Sequence, residues 1–533
     1  MNKEIQDLLN KPISIRRTFV IWLLVMIDLF LLRNITHIAF LFFMLGFVAL
    51  FLIVFLPDSR IYDLAIEDPF LRKKLFTILL VSALVLICTA PMGQFPLWNG
   101  EKPGHRNQYE LMAENLLNGR LFFYYGDEDQ LLQLTNPYDP NERSASGISY
   151  HWDHAYYEGK YYMYFGIVPV ILLFLPYRIL TGNPLLTYHA TQIFVAFIII
   201  GFFALFHLLA KLFFKKMPYC VYLALSAAFS AMSVWYAVAE PALYCTAITS
   251  AIALEIWSIY FFVKAVWSET EEDSQLFYAF LGALLGALVF GCRPTIALAN
   301  ILVIPMLVVF LRQRKYTSAL LKKLIFVALP YLLVGIALMA YNYARFEDPF
   351  EFGQKYQLTV ADQTQYSIAL NVETILRIIN DSAESFFAFG DIRSDFPYLK
   401  PIGVFFNFPI LLLMVGVCKL SVVKNMHYAK VLPLMAGIFV TVLAITAMDI
   451  LWTPYLLERY HMDIYFLLGI GCFLVVGFWY NICTAKQRRL LSACLSMLSV
   501  LTVISAFLLC VYRIGVYYPG KVNEIGQILH LIQ

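Results

Sequence analysis

The stretch HWDHAYYEGKYYMYFG at 151–166 brings His151, Trp152, Asp153, His154, Lys160 and five tyrosines together. Such a set suits sugar transfer. Aromatic faces stack on sugar rings, and a carboxylate such as Asp153 takes a proton from an acceptor hydroxyl or amine. Lysine or arginine holds a phosphate leaving group. For the tyrosines, a second reading is an aromatic belt at headgroup depth. A metal set of His151, Asp153 and His154 is opposed by strand alternation, which turns His154 away from the other two.

Three further segments carry ionisable groups at the ends of apolar runs. Arg293 lies in GCRPT, where a lipid phosphate or a bilayer headgroup would satisfy it. YNYARFEDPFEFGQKYQ at 341–357 offers Arg345 and Lys355 for a phosphate and Glu347, Asp348 and Glu351 for acceptor groups. Snorkelling and solvated surface acids are the plain alternative. ERYHMD at 458–463 supplies Arg459, His461 and Asp463, either to the same cavity or to a local charge network.

The elements that must position these groups are membrane helices. Of 533 residues, 61% are hydrophobic and 14% charged, against about 45–50% and about 25% in soluble domains. This excludes an ordinary soluble enzyme, a disordered chain and a secreted disulfide scaffold. Apolar runs fall at 19–33, 36–56, 75–92, 187–210, 218–237, 241–264, 276–291, 294–312, 324–343, 401–418, 431–450, 462–481 and 490–512. Lys3, Lys11, Arg16 and Arg17 precede the first run without a small-residue cleavage site, so it reads as a retained span. The run 161–181 holds Pro169 and Pro176. If it crossed, the clusters Lys211/Lys215/Lys216, Arg312/Arg314/Lys315, Lys322/Lys323 and Lys486/Arg488/Arg489 would fall outside. If it dips and returns, all fall inside, as the positive-inside rule requires. The expectation is an all-α polytopic protein of the plasma membrane with about 13 transmembrane helices, N-terminus cytoplasmic. Both long polar segments, 94–160 and 344–400, then lie on the extracytoplasmic face.

The first of these opens with NQYELMAENLLNG at 107–119, an amphipathic helix with Tyr109, Met112, Leu116 and Leu117 on one face, expected along the membrane surface. Asn107 and Gly119 are its expected caps. The nine cysteines include no CxxC pair and none lies in either external segment, which argues against zinc and a disulfide framework. The net charge of +3 is not a nucleic-acid footprint. No GxGxxG, P-loop or HExxH string occurs. Most spans read as free of acids, with Asp28 an exception and Glu240 in a Glu-Pro break; intramembrane acids and repeats are what a transporter would show.

The helix Tyr109–Gly119, which fits a Y-x-x-x-A-x-x-L-L-x-G pattern, and YFGIVPVILLFLPYRILTG at 164–182 together resemble the GT-C superfamily of membrane glycosyltransferases. The similarity is to the bacterial type related to the aminoarabinose transferase and protein O-mannosyltransferases, and it covers roughly 75–480. The expected core spans 75–482 with external loops 94–186 and 344–400; an N-terminal hairpin and loop at 1–74, whose two spans stand outside the resemblance, precede it, and a C-terminal span and tail at 483–533 follow. The resemblance implies a polyprenyl-phosphate sugar donor, an envelope glycan, lipid or protein acceptor, and transfer at the outer face. The family's Asp-Glu pair before the helix tyrosine is replaced here by His105 and Arg106. Asp153 is therefore the first choice of base and Glu101 the second. Donor-phosphate contacts are expected from Arg293, Arg345, Arg459, Lys160 and Lys355, and acceptor or sugar contacts from His151, Trp152, His154, Tyr109 and His461. No cofactor is assigned, and a divalent cation stays open. Rival readings are a transporter or lipid flippase, an O-antigen-type ligase or polymerase, and a scaffold.

Overall fold

The computed structural model describes residues 62, 108–269, 271–312, 317–365, 371–390, 393, 395–452 and 457–528. The first three expected spans, Asp28, Glu101, His105, Arg106 and Asn107 lie outside the described residues. Helices dominate. Eight are long and apolar enough to cross a membrane, or nine if one sharply bent pair counts as a span. This differs in two places from the ten spans expected over the same stretch. The run at 276–291 lies in a helix from Glu272 to Val289 whose first turn is acidic and whose length is about 27 Å. The run at 401–418 is broken. A short helix Val404–Asn407 gives way at Pro409 to a tight 3-10 segment Pro409–Cys418, bent by 81° from Leu420–Tyr428. Proline at 409 removes a backbone donor there and stops the first helix.

In chain order the elements are α1 Gln108–Leu117, β1 Phe122–Phe123, α2 Pro140–Ser146, β2 His154–Tyr157, β3 Lys160–Met163 and α3 Leu175–Thr181. The bundle follows with α4 Thr187–Phe213, α5 Tyr219–Ala239, α6 Leu243–Trp267, α7 Glu272–Val289, α8 Pro294–Ala297, α9 Val303–Arg312 and α10 Thr317–Phe346. It closes with α11 Val372–Phe387, α12 Val404–Asn407, α13 Leu420–Tyr428, α14 Leu432–Trp452, α15 Met462–Ile482, α16 Ala485–Tyr517 and α17 Pro519–Ile528. Helix α15 is the hub. Nearly all of its residues are buried, because it packs on α5, α14 and the Pro409–Cys418 segment.

The expectation of an all-α chain needs one correction. The tyrosine-rich segment folds as a small antiparallel sheet in the order β1-β3-β2. Glu158 and Gly159 join β2 to β3 with φ of 48° and 72°, the left-handed pair that a tight two-residue hairpin turn needs. Alternating tyrosines favour this pleated, half-buried surface. The second long polar segment, 344–400, adds to the free edge of β2: Asp153 N–H donates to Leu358 O at 3.0 Å, and Leu358 N–H to His154 O at 2.9 Å. Asn136 and the buried Arg143 reinforce this seam, through Asp362 Oδ2 at 2.8 Å and Thr359 O at 2.6 Å.

The run 161–181 does not form one helix. It ends β3, then coils as Val170–Thr181, roughly 18 Å long. That is too short to cross the hydrocarbon alone. Gly166 packs against the backbone of Gly291, and Val168 N–H donates to Gly291 O at 2.8 Å, so the element is pinned to the α7–α8 turn. A Cβ at 166 would overlap the Gly291 carbonyl. Gly166→Ala is expected to lower stability by about 2 kcal/mol, read as a lower thermal midpoint in detergent; an unchanged midpoint would show the pinning contact to be dispensable.

Candidate functional site

Helix alternation brings one set of bundle ends together. A cavity of about 550 Å³ opens there, and each wall comes from a different element. Trp152 and Asp153 come from the turn before β2, Tyr244 from the start of α6, Arg293 from the α7–α8 turn, Arg345 from the end of α10 and Arg459 from just before α15. The basic clusters at Lys211, Arg312 and Arg488 sit at the opposite ends of their helices.

Asp153 is 5% exposed, with a backbone φ of 56°. Aspartate tolerates this left-handed conformation better than most residues. Gln108 Nε2 holds its carbonyl at 2.8 Å. Its carboxylate accepts from the Tyr244 hydroxyl and, at 2.9 Å, from Gln357 Nε2. Burial raises its pKa above the ordinary carboxylate value, while these two donors and the Arg459 charge pull it back. The result is a carboxylate held in place by hydrogen bonds rather than by a salt bridge.

The arginines divide into two kinds. Arg293 is already matched: its Nε lies 2.6 Å from Asp463 Oδ2, which also accepts from Thr295 Oγ1 at 3.0 Å. Arg345, 4% exposed, donates to Met163 O at 2.8 Å and to Asn342 Oδ1 at 2.7 Å. Its Nε has no hydrogen-bond partner. Arg459 rests on the Tyr244 ring at 4.1 Å and beside Tyr460 at 5.4 Å. Among the described residues neither Arg345 nor Arg459 forms a carboxylate ion pair. Among the described residues the cavity therefore presents two arginines without a direct carboxylate ion pair, beside the buried carboxylates of Asp153 and Asp449. No family model, no curated protein and no solved structure matches this chain.

Six of the expected site residues are placed elsewhere. Tyr109 is fully buried, stacked on Phe174 at 5.3 Å, so this part of the apolar face of α1 packs inward on the 170–181 element. Glu110 on the same helix caps α4 through Thr187 N and Oγ1 at 2.8 and 2.9 Å. His151 stacks on Tyr125 at 3.6 Å and lies 3.3 Å from Asp127. His154 bonds the Tyr125 hydroxyl at 2.9 Å, and burial lowers its pKa to about 4. The histidines thus pack around Tyr125, while Asp153 turns to Tyr244. Lys160 is exposed over Phe122, and Lys355 over Tyr356. His461 is engaged with Ser385 Oγ at 2.7 Å. None of these six lines the cavity. No group of three or more His, Cys, Asp or Glu is placed to hold a metal ion among the described residues.

The cavity also has members that the sequence reading passed over. Tyr244 and Gln357 are the donors on Asp153. Arg513 of α16 lines the far wall and pairs with Glu240 at 2.6 Å. Tyr244 follows the Glu-Pro break by only a few residues, and Arg513 stands directly after the long apolar run 490–512, which is the available signal.

Proposed function

We propose that this chain is a membrane glycosyltransferase that moves a sugar from a polyprenyl-phosphate-linked donor to an extracytoplasmic acceptor in the cell envelope. One observation supports the reading: a buried carboxylate with hydrogen-bond donors, Asp153, shares a cavity with two arginines that form no direct carboxylate ion pair among the described residues. The donor phosphate lies at Arg345 and Arg459. Asp153 accepts the proton of the acceptor hydroxyl or amine as its oxygen or nitrogen attacks the anomeric carbon. The bond from that carbon to the phosphate oxygen breaks, and the polyprenyl phosphate leaves with the electron pair. The arginines hold the charge that develops on it. Tyr164, Tyr244 and Trp152 supply faces for the sugar. The bundle crosses the plasma membrane about 13 times, with 161–181 dipping from the outer face. Arg293 is spent on Asp463 and serves as a strut.

The test is transfer by the purified full chain from a panel of polyprenyl-phosphate sugars, read as release of polyprenyl phosphate. Arg459→Ala is expected to raise KM for the donor roughly 10–100-fold, the loss of one charged hydrogen-bonding partner. A wild-type KM in that variant would remove Arg459 from the phosphate site. Transfer of preassembled glycans only would favour a ligase or polymerase. A transporter is the second reading, favoured by the buried Glu255 at the middle of α6. Substrate movement across a vesicle membrane without sugar transfer would select it.

A further inference from the structure

Glu255 is a further exception, beside Asp28 and Glu240, to the expectation that most spans lack buried acids. It stands at the midpoint of α6, 1% exposed, and neither carboxylate oxygen has a hydrogen-bond partner. No Lys, Arg or His pairs with it among the described residues. A lone carboxylate is expensive to keep in a membrane interior, and such groups persist where they serve a ligand or a proton. Close by on the same helix, a set of neutral oxygens gathers at Gly286, drawn from α6 itself and from two further elements. Ser258, one turn along the same face of α6, donates to Gly282 O of α7 at 2.8 Å. Tyr331 of α10 lies within electrostatic reach of the Glu255 carboxylate and donates to Asn300 Oδ1. Asn300 sits in Leu298–Leu302, where the span from Pro294 to Arg312 tightens into a 3-10 turn between α8 and α9. A Cβ at position 286 would lie within 3.0 Å of Asn300 Oδ1, the Tyr331 hydroxyl and Ser258 Oγ together, so Gly286 is what lets these oxygens converge.

We propose that Glu255, Ser258, Asn300 and Tyr331 bind a sodium ion in the middle of the bundle. The ligands are all hard oxygens, which suit a hard cation. They carry a single negative charge between them, which matches a monovalent ion. Broken helix at membrane depth is tolerated where it lines such a site. The ion would tie together α6, α7, the α8–α9 span and α10. The outer ends of these elements bear Tyr244, the Gly291–Arg293 turn and Arg345, so occupancy of the ion site is linked to the geometry of the cavity. The site stands independently of the transferase reading, because binding needs no sugar donor.

The experiment uses the full chain in nanodiscs at pH 8. Equilibrium binding of radioactive sodium should saturate at one ion per chain. Saturating sodium chloride should raise the thermal midpoint by roughly 3 °C over potassium or N-methyl-D-glucamine chloride at equal ionic strength. Glu255→Gln should abolish both effects. Should that variant fail to fold, Ser258→Ala should weaken sodium affinity about tenfold, the loss of one ligand. Equal midpoints in the three salts, or sodium affinity unchanged in Ser258→Ala, would overturn the proposal. So would a Glu255 that responds to pH alone, since the site would then hold only a proton.

Discussion

Asp153→Asn should lower kcat for sugar transfer by about 10²–10⁴-fold, the range that a positioned general base supplies. Asparagine is the informative replacement. It keeps the left-handed backbone at φ 56° and the shape of the side chain, and its single amide oxygen still accepts from one of the two donors, Tyr244 or Gln357. The ability to take a proton is lost, together with one of the two accepted hydrogen bonds. The same chemistry has a pH signature. The carboxylate is the active form, so the rate falls as pH drops through the Asp153 pKa. Burial raises that value, so the acid limb should lie above the range of an exposed aspartate. Tyr244→Phe removes a hydrogen bond that favours the charged form and should move the limb further up. Full activity in Asp153→Asn, with an unmoved acid limb in Tyr244→Phe, would assign the base elsewhere.

The Arg293–Asp463 pair should dominate stability in this region. Asp463 has no exposed side-chain surface, Arg293 has 16%, and the two touch at 2.6 Å. Asp463→Ala leaves a guanidinium without its partner in a buried setting, and a cost of about 3–5 kcal/mol follows. Replacing both residues by apolar ones of similar volume should recover part of it, because this pair is removed together, while the buried Asp449 loses the Arg293 charge. Thermal unfolding of the two single variants and of the Arg293→Met/Asp463→Leu double variant measures this. The cycle also separates two roles. A double variant that is stable and keeps its donor KM makes Arg293 a strut, as the paired geometry indicates. A stable double variant that no longer binds donor would return Arg293 to the phosphate site.

The helical membrane class was legible in the sequence because it depends on composition and length. Apolar runs without charges have one stable form in hydrocarbon, and short basic clusters mark one set of helix ends. Alternation then placed Arg293, Arg345, Arg459 and Asp153 at a common end of the bundle, before any contact was known. The finer features depend on which groups face each other across elements distant in sequence, and no local pattern encodes that. Asp153 and His154 are neighbours, yet one enters the cavity and the other packs on Tyr125, because the turn before β2 reverses their directions. Arg293 and Arg345 both close helix ends, but a partner 170 residues away neutralises the first. Tyr109 looked like a surface aromatic until the 170–181 element covered it. Glu255 lies within an apolar run; the oxygens of Ser258, Asn300 and Tyr331 gather one turn along its helix only where Gly286 leaves room. Periodicity and charge thus determined the spans and the end of the bundle where chemistry gathers. Side-chain pairing across the packed helices decided which charges there are cancelled and which are left to act.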